Sequence, residues 1–534
     1  MDVIDVDRMT RTARLPLISD YPEHHASHRP PADALVLDGE RITYAAFGSR
    51  VDRCARALHH AGVGRGDRVA TLSTPRPDYL VLFMATARVG GIWLGLNPRS
   101  RFDELEYIVG DAAPKILFAI AGFEERDYRG DLTLLMQAYP SLEGPVFLET
   151  GEAAEGAFFE DFLSRGDAVD EASYSAAREA VDPDDPALIV YTSGSTGRPK
   201  GALLAHRGIV TTARVQCEHW WAEPFRMLNN LPINHIGGAV QISCHALVAG
   251  GTNVFMERFA PGNIPSVIEQ ERITIVHQVP TMYQLILDKG MVEQHDVSSL
   301  QTLIWSGAPS PLDLIAKLRK LTPNLYSSYG STETGGEVLY TSDGTSDALL
   351  AETVGQPESV YAVRLADEVG HTVDDGAAGE IQVRGEAVMR GYFNKPEATA
   401  DAFTADGWLR TGDVAVVQPD GNYRIVGRLR EMFKSGGYNV YPREIELVIE
   451  SHPAVAMAAV IGVPDPLYTE VGYAYVLKES GNDLAVSEID AYCRERLANY
   501  KIPKRFVVRE ELPMLPIGKI DKTALKLDGV SSGK

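Results

Sequence analysis

The chain has 534 residues, of which 45% are apolar and 23% charged, a composition typical of a globular protein with room for several hydrophobic cores. Its 51 basic and 73 acidic side chains give a formal net charge of −22, which argues against nucleic acid or an anionic membrane surface as its partner. The four cysteines are far apart and include no C-x-x-C pair, so neither a zinc site nor a disulfide framework is indicated, and a reducing, cytoplasmic setting fits.

The N-terminus mixes Asp and Arg and has no apolar stretch of the kind found in a signal peptide. The most apolar segment, Tyr79–Leu96, contains Arg88 and three glycines. It is too short and too interrupted to cross a bilayer, so no transmembrane segment is predicted. We interpret it as a buried helix followed by a buried strand.

The first part of the chain alternates helical and extended patterns, which predicts a largely parallel sheet with helices on its faces. In chain order the predicted elements are helix Phe47–Ala61, strand Arg68–Leu72, helix Tyr79–Arg88, strand Ile92–Leu96, helix Glu104–Val109 and strand Lys115–Ala119. The pattern resumes with strand Ala187–Tyr191, helix Ile264–Glu271, strand Ile273–His277 and strand Leu303–Trp305.

The character of the sequence changes from about Gly379, where short extended runs lie among many glycines. Ile381–Arg384 and Tyr423–Val426 are predicted strands of an antiparallel element. The C-terminal part predicts a small α+β unit that consists of helix Glu444–Glu450, strand Val455–Ile461, strand Tyr473–Leu477 and helix Ser487–Leu497.

The strongest local signal is the eleven-residue stretch Tyr191–Gly201, which follows a predicted strand and contains three glycines, four Ser/Thr hydroxyls and two cations. Glycines let backbone N–H groups converge on one point, and together with hydroxyls and Lys200 these groups can hold phosphate oxygens. The stretch is not a Walker A sequence. On its own it is equally compatible with a flexible Ser/Gly loop.

Together with five later motifs, this stretch resembles the adenylate-forming superfamily of acyl-CoA synthetases, peptide-synthetase adenylation domains and luciferases. The five motifs are Ser306-Gly-Ala-Pro309, Tyr326-Ser-Ser-Tyr-Gly-Ser-Thr-Glu-Thr334, Trp408-Leu-Arg-Thr-Gly-Asp413, Gly427-Arg-Leu-Arg-Glu431 and Pro513-Met-Leu-Pro-Ile-Gly-Lys519. The resemblance implies an α/β fold with a large N-terminal domain, 1–429, of α/β layers plus a β-rich element. A small, mobile α+β lid domain, 430–534, would follow.

The resemblance also implies the chemistry, in which a carboxylate attacks the α-phosphorus of ATP and expels pyrophosphate. Two anions must meet, so the site needs cations. Glu333 would bind Mg²⁺, which prefers hard oxygen donors, and Thr332 would lie beside the α-phosphate. Lys519 would be the catalytic lysine that reaches between carboxylate and phosphate. Judged as single residues, Glu333 and Lys519 are equally compatible with solvated surface charges.

The implied ATP site extends beyond the phosphate loop. Tyr329 would stack on adenine, Asp413 would accept hydrogen bonds from both ribose hydroxyls, and Arg428 would bond ribose or phosphate. The alternatives are a core or turn tyrosine, a turn aspartate and a surface arginine. The complete implied set is Thr192, Ser193, Gly194, Ser195, Thr196, Gly197, Lys200, Gly307, Ala308, Pro309, Tyr329, Gly330, Ser331, Thr332, Asp413, Arg428 and Lys519.

The acyl pocket is implied by the stretch Pro232–Gly238, where amino-acid-activating relatives carry an Asp. No acid stands in this stretch here, so an amino-acid substrate is disfavoured. His235, which joins the implied catalytic set, lies where acyl- and aryl-CoA synthetases often have a histidine, and a satisfied core histidine is the alternative. The implied lining residues are His235, Ile236, His277, Ser306, Ser328, Gly330 and Gly335. Their sizes favour a medium-sized or bulky acid (medium-chain, alicyclic or aromatic) over acetate.

The resemblance places a hinge at Arg430, where many relatives have Asp or Lys. Arginine is admissible because a hinge only has to absorb a change in φ and ψ. One pose of the C-terminal domain would bring Lys519 to the adenylation site. The other would use Ser435, Gly436, Gly437 and Tyr438 to line a tunnel for the thiol of coenzyme A.

The predicted activity is therefore that of an AMP-forming carboxylic acid:CoA ligase that uses ATP, Mg²⁺ and CoA. An acyl-AMP ligase that loads a carrier protein is the alternative, because phosphopantetheine ends both acceptors. A non-enzymatic nucleotide-binding relative is disfavoured by the presence of Glu333 and Lys519. A homodimer is compatible with the sequence and is not specified by it.

Overall fold

The structure is a computed structural model that describes residues 11–149, 157–192, 198–288, 291–374, 376–436, 438–479, 483–514 and 520–531. The described residues form two compact units. The first unit contains the residues up to Ala351 together with Gly355–Ala362 and Val383–Leu409, and the second contains Glu352–Val354, Val363–Gln382 and the residues from Arg410 onward. Among the described helices, none is both long and apolar enough to cross a membrane. The predicted division at 429/430 concerns a lid domain that we expect to move, and it stays a prediction.

The strands are β1 (Asp33–Leu37), β2 (Glu40–Thr43), β3 (Arg68–Leu72), β4 (Ile92–Leu96), β5 (Ile116–Ala119), β6 (Gly122–Phe123), β7 (Arg126–Asp127), β8 (Glu143–Phe147), β9 (Ala157–Phe158), β10 (Pro186–Thr192), β11 (Lys200–Ala205), β12 (Arg226–Asn229), β13 (Thr252–Phe255), β14 (Ile275–Gln278), β15 (Thr302–Trp305), β16 (Asn324–Ser331), β17 (Gly336–Tyr340), β18 (Gln356–Pro357), β19 (Tyr361–Ala366), β20 (Gly379–Gly385), β21 (Leu409–Val417), β22 (Tyr423–Arg428), β23 (Phe433–Ser435), β24 (Tyr438–Val440), β25 (Val455–Asp465), β26 (Thr469–Lys478) and β27 (Arg505–Arg509).

The α-helices are α1 (Tyr21–His28), α2 (Tyr44–His60), α3 (Pro77–Arg88), α4 (Phe102–Ala112), α5 (Arg129–Ala138), α6 (Phe159–Ser164), α7 (Glu171–Glu179), α8 (His206–His219), α9 (His245–Ala249), α10 (Ile264–Glu271), α11 (Pro280–Asp288), α12 (Leu312–Arg319), α13 (Asp347–Glu352), α14 (Pro396–Ala402), α15 (Pro442–Glu450), α16 (Val486–Arg496) and α17 (Lys522–Ser531). A π-helix covers Gly237–Cys244, and short 3-10 turns cover Ile18–Asp20, Arg165–Ala168, Val292–Gln294, Leu429–Glu431 and Asn499–Lys501.

The first unit is built on two mixed sheets. Seven described strands form one sheet in the order β11-β10-β4-β3-β5-β8-β9, and nine form the other in the order β18-β17-β16-β15-β14-β12-β13-β1-β2. Neighbours within each are parallel except at the edges, where β10–β11, β16–β17, β17–β18 and β1–β2 are antiparallel. The α/β class and its largely parallel pairing are as the alternating pattern predicted, although the strands divide between two sheets.

The boundaries of the elements follow from local sequence. Strands Arg68–Leu72 and Ile92–Leu96 and helix Ile264–Glu271 have the bounds that the patterns predict. Helix α2 begins earlier than predicted, because the Thr43 side chain accepts a hydrogen bond from the Ala46 amide and so caps the helix. Proline is the first residue of α3 and α15 and the second of α10, where its missing N–H has no partner in the helix anyway.

Helix α3 is buried along almost its whole length, as the apolar segment predicted. It belongs to one core that also contains strand residues of both sheets, such as Leu35 and Leu72. Arg88 at its last turn is only 3% exposed. Its guanidinium donates to the Ser19 carbonyl at 3.0 Å and lies 3.4 Å from the Asp52 carboxylate. A buried charge needs such partners, and these explain how an arginine is accommodated in the core.

The second unit contains most of a four-stranded sheet, β19-β20-β21-β22, and a C-terminal α+β part. Strands β21 and β22 pair antiparallel, in agreement with the predicted antiparallel element. In the C-terminal part the β25–β26 hairpin and the parallel strand β27 carry helices α15 and α16. The predicted order of helix, strand, strand and helix is therefore confirmed.

Candidate active site

The β16–β17 hairpin carries the predicted Mg²⁺ ligand in its turn. Strand β16 ends at Ser331 and strand β17 begins at Gly336, so Thr332 and Glu333 lie at the tip. The Ser331 amide donates to the Thr334 hydroxyl at 2.7 Å, and the Thr334 hydroxyl donates to the Gly336 carbonyl at 2.7 Å. These bonds satisfy backbone groups of the turn and hold it in one conformation.

Glycine is required in this hairpin because backbone approaches backbone. A Cβ at Gly330 would lie 2.0 Å from the Gly336 carbonyl oxygen, and one at Gly335 would lie 2.0 Å from the Ala387 carbonyl oxygen. Gly335 also has a φ of +79°, a conformation that side chains disfavour. The close packing accounts for these glycines by itself, and their contribution to an acyl pocket stays a prediction.

The Glu333 carboxylate joins the hairpin tip to two other segments of the first unit. Its Oε1 accepts hydrogen bonds from the Thr192 hydroxyl at 3.2 Å and the Tyr392 hydroxyl at 3.0 Å. The Lys200 ammonium lies 5.2 Å from the centre of the Tyr392 ring. Oε2 bonds to none of the described residues, so this oxygen is available to coordinate a hard cation.

The predicted phosphate loop connects two paired strands. Thr192 at the end of β10 lies opposite Lys200 at the start of β11. The flanks of the loop are therefore beside Glu333, while residues 193–197, and with them Ser193, Gly194, Ser195, Thr196 and Gly197, lie outside the described residues. Tyr392 is a contact of Glu333 that the motifs missed, because a lone tyrosine after a glycine carries no local signal.

The carboxyl ends of neighbouring parallel strands bring three predicted pocket residues to one edge of the nine-stranded sheet. His277 is the second-last residue of β14, and Ser306 directly follows β15. Ser328 directly follows the part of β16 that pairs with β15. His277 Nε2 and the Ser306 hydroxyl are 3.1 Å apart. Ligands of open α/β sheets bind at this edge. Gly307 and Ala308, which come next, are exposed, Pro309 is partly buried, and Tyr329 is buried.

A carboxyl group that the motifs missed lies against His277 and Ser306. Glu337 of β17 is fully buried, and its Oε1 is 3.8 Å from His277 Nε2. Its Oε2 accepts a hydrogen bond from the Gln216 side chain of α8 at 3.2 Å. Burial raises the pKa of Glu337 to about 7 and lowers that of His277 to about 3, so both groups favour their neutral forms.

The signal for Glu337 was present in the sequence. It is an acid in an otherwise apolar strand, Glu337-Val-Leu-Tyr340. The pocket acid of amino-acid-activating relatives was expected only in Pro232–Gly238. In that stretch His235 is exposed, so the alternative of a core histidine is wrong. Its Nδ1 accepts from the Gly237 amide at 3.0 Å, and a π-helix, a form often found at functional sites, follows at once. Ile236 is buried.

The second unit carries the predicted ribose ligands as a pair. Asp413 of β21 and Arg428 of β22 are opposite in register, and the Arg428 Nε donates to the Asp413 carboxylate at 2.9 Å. The predicted hinge residue Arg430 lies exposed in the turn Leu429–Glu431. The neighbouring Glu431 accepts a hydrogen bond from Lys522 at 2.6 Å.

The predicted CoA segment lies on the β23–β24 hairpin. Ser435 is buried, Gly436 has a φ of +59°, and Tyr438 is 58% exposed and stacks on Tyr500 with ring centres 4.4 Å apart. Gly437 and Lys519 lie outside the described residues. Their predicted roles, like the ribose and hinge assignments, stay predictions.

Comparison with known proteins identifies the family. Residues 22–393 match the family model described as AMP-binding enzyme, and residues 444–519 match the AMP-binding enzyme C-terminal domain. The chain therefore belongs to the AMP-binding enzymes, which confirms the resemblance to the adenylate-forming superfamily and the expectation of a ligase.

Named relatives cover nearly the whole chain. A feruloyl-CoA synthase from an Amycolatopsis species is 37% identical over 95% of this chain and 97% of its own length. An indoleacetate–CoA ligase from Aromatoleum aromaticum is 33% identical over 95% of this chain and 96% of its own. The crystal structure of ATP-bound MatB from Rhodopseudomonas palustris, 27% identical, superposes with a TM-score of 0.85 and covers 98% of this chain and 100% of that one.

The hairpin tip predicts a difference between two glycine substitutions. Gly335→Ala should lower the free energy of unfolding by at least about 2 kcal/mol, because it adds a backbone clash to the strain of a positive φ. Gly344→Ala is the matched control, since Gly344 has a φ of +72° but no atom within 4 Å of its Cβ position, and it should cost only about 1 kcal/mol. Urea unfolding of both variants measures the difference, and equal losses would contradict the packing argument.

The buried carboxyl predicts a pH-dependent stability. The pKa of Glu337 rises from 4.5 to about 7 on folding, so the native state holds the proton more tightly and loses stability as pH rises from 4.5 through 7. Glu337→Gln removes this loss and should stabilise the protein about 2 kcal/mol more at pH 8 than at pH 5. Urea unfolding at both pH values tests this, with the exposed Glu40→Gln as control. A pH-independent effect of Glu337→Gln would contradict it.

Proposed function

We propose that this protein activates a bulky, aromatic-type carboxylic acid in two steps. The acid and ATP form an acyl-AMP and pyrophosphate, and the thiol of CoA then displaces AMP to form the acyl-CoA. The observation that carries the proposal is the junction of Thr192, Lys200 and Glu333, because it combines the flanks of the predicted phosphate loop with a carboxylate whose Oε2 bonds to none of the described residues. Family membership and the relatives that are named as CoA ligases support it.

The described residues suit the substrates that the reaction needs. Lys200 and the hydroxyls of Thr192 and Thr332 would hold phosphate oxygens, since hydroxyls donate hydrogen bonds and the ammonium offsets negative charge. Glu333 would supply Oε2 to Mg²⁺, which when bound neutralises charge on the phosphates. Asp413 and Arg428 would hold the ribose, and Tyr329 would contact adenine.

The C-terminal residues would divide the two steps between them. Lys519 would act while the carboxylate attacks phosphorus, because an ammonium there offsets the charge that develops between two anions. Rotation about Arg430 would then replace it with the segment that contains Ser435, Gly436, Gly437 and Tyr438, which would line the path of the thiol. This two-pose scheme rests on the resemblance, and the division at 429/430 is part of it.

The choice of acid and acceptor rests on the pocket and on the relatives. His277 and Glu337 are buried, Ser306 is partly buried, and together they form a polar group that a larger acid could use. The relatives whose names include feruloyl and indoleacetate indicate aromatic acids. A carrier-protein phosphopantetheine stays the alternative acceptor.

The four described cysteines are free and buried, which supports a cytoplasmic location. Size-exclusion chromatography would test whether the protein forms a homodimer.

The proposal predicts the outcome of an acid and acceptor panel. Purified protein with ATP and Mg²⁺ should release AMP in the presence of free CoA when an aryl-substituted acid is supplied, with a kcat/KM at least about tenfold above that of acetate. Hydroxamate trapping of the acyl-AMP without CoA measures the first step separately. Trapping without acyl-CoA formation would favour the carrier-protein alternative, and a best rate with acetate would contradict the bulky-acid assignment.

Lys519→Ala should separate the two steps. Adenylation should fall by at least about a thousandfold, the scale for loss of a group that stabilises transition-state charge, while thioester formation from supplied acyl-AMP should stay within a few fold of wild type. Lys526→Ala, an exposed lysine of the same C-terminal region, is the control and should leave both steps unchanged. Equal loss of both half-reactions in Lys519→Ala would argue against the two-pose scheme.

A further inference from the structure

The interior beside the predicted acyl pocket holds a group of polar atoms that the fold does not satisfy. Glu337 Oε1, Gln216 Oε1 and His277 Nδ1 are all buried, and none of them has a hydrogen-bond partner among the residues that the structure describes. They are close to each other, since Gln216 donates to Glu337 at 3.2 Å and His277 Nε2 is 3.8 Å from Glu337 Oε1. Most buried polar atoms of native proteins are paired, so a cluster of three calls for an explanation.

The unpaired atoms are mainly acceptors. The Gln216 amide oxygen only accepts hydrogen bonds, whereas a protonated Glu337 offers one acceptor oxygen and one O–H donor, and His277 already uses Nε2 with the Ser306 hydroxyl. Ser306 and Gln241 also face the Glu337 carboxyl group. Tyr340 and Tyr361 lie close enough that a charge on Glu337 would raise the pKa values of their hydroxyl groups. Among the described residues no Lys or Arg pairs with Glu337. The cluster therefore contains acceptor atoms, Gln216 Oε1 above all, to which no described residue donates.

The location of the cluster suggests where the missing donor comes from. Two of its members, His277 and Glu337, and the adjacent Ser306 lie on elements that carry predicted pocket residues, namely the end of β14, the hairpin β16–β17 and the segment after β15. Gln241 lies on the π-helix that follows His235 and Ile236. A substituent of the bound acid would approach these atoms.

We propose that Glu337, with Gln216 and His277, recognises a hydrogen-bond donor on the substrate, so that the preferred acid carries a hydroxyl or amino group on its ring. The inference rests on the proposed ligase function. Glu337 acts as a specificity residue and takes no part in the transfer of the acyl group. An acid without a donor leaves the buried acceptors unpaired, and sites of this kind discriminate strongly against such analogues.

The wild-type enzyme provides the first test. We would measure kcat/KM for ATP- and CoA-dependent AMP formation with 3-phenylpropenoic acids that carry a hydroxyl, an amino or a methyl group at the ortho, meta or para position. Methyl groups match hydroxyl and amino groups in size but cannot donate. At one ring position at least, the hydroxyl or amino acid should exceed its methyl counterpart by about tenfold or more. Methyl acids that match or exceed their counterparts at every position would overturn the inference.

Two variants assign the preference to Glu337. Glu337→Leu should reduce the donor-to-methyl ratio to near one. Glu337→Gln keeps an acceptor oxygen and should retain most of the preference for the hydroxyl acid. A wild-type ratio in Glu337→Leu would overturn the role of Glu337, whereas a purely structural role would lower the rates with all acids together.

The outcome also separates this inference from the function on which it rests. If the enzyme forms AMP with the methyl and unsubstituted acids but shows no donor preference, the ligase proposal stands and the recognition by Glu337 is wrong. If no acid supports AMP formation with CoA, the ligase proposal is overturned and the inference with it.

Discussion

The hydrogen bonds at the Glu333 carboxylate connect the parts of the site that the chain contributes from distant positions. Thr192 is 141 residues before Glu333 and Tyr392 is 59 residues after it, yet both donate to the same oxygen. The contact is possible because the hairpin turn is held by Ser331 and Thr334 and because Gly330 and Gly335 allow backbone to approach backbone. The position of Glu333 beside the phosphate-loop flanks depends on this packing.

The same hairpin provides a second acid in a different environment. Glu333 lies in the turn, where it is partly exposed and accepts hydrogen bonds from two hydroxyl groups. Glu337, four residues later, is enclosed by β14, the segment after β15 and α8. Burial raises its pKa, and no Lys or Arg of the described residues pairs with it. One hairpin can therefore supply a metal ligand at its tip and a polar recognition group within the sheet.

Much of the fold was predictable because it depends on local periodicity. The buried helix that ends at Arg88, the strand Ile92–Leu96 and the C-terminal α+β order all follow from apolar spacing and from prolines at helix starts. The division of the strands between two sheets was not predictable in this way, because strand pairing depends on contacts between segments far apart in sequence. The cap at Thr43 was local but was not recognised, so α2 was predicted to begin too late.

By itself the sequence determined the family and the residue types of the chemistry, because six ordered motifs and their glycines, hydroxyls and charges are local features of the chain. Only the tertiary structure decided which of these side chains meet. It placed Tyr392 against Glu333, joined His277 to Ser306, and buried Glu337 beside them with an oxygen unpaired. The physical reason is that hydrogen bonding and burial are properties of neighbours in space, and those neighbours come from segments that no local pattern connects.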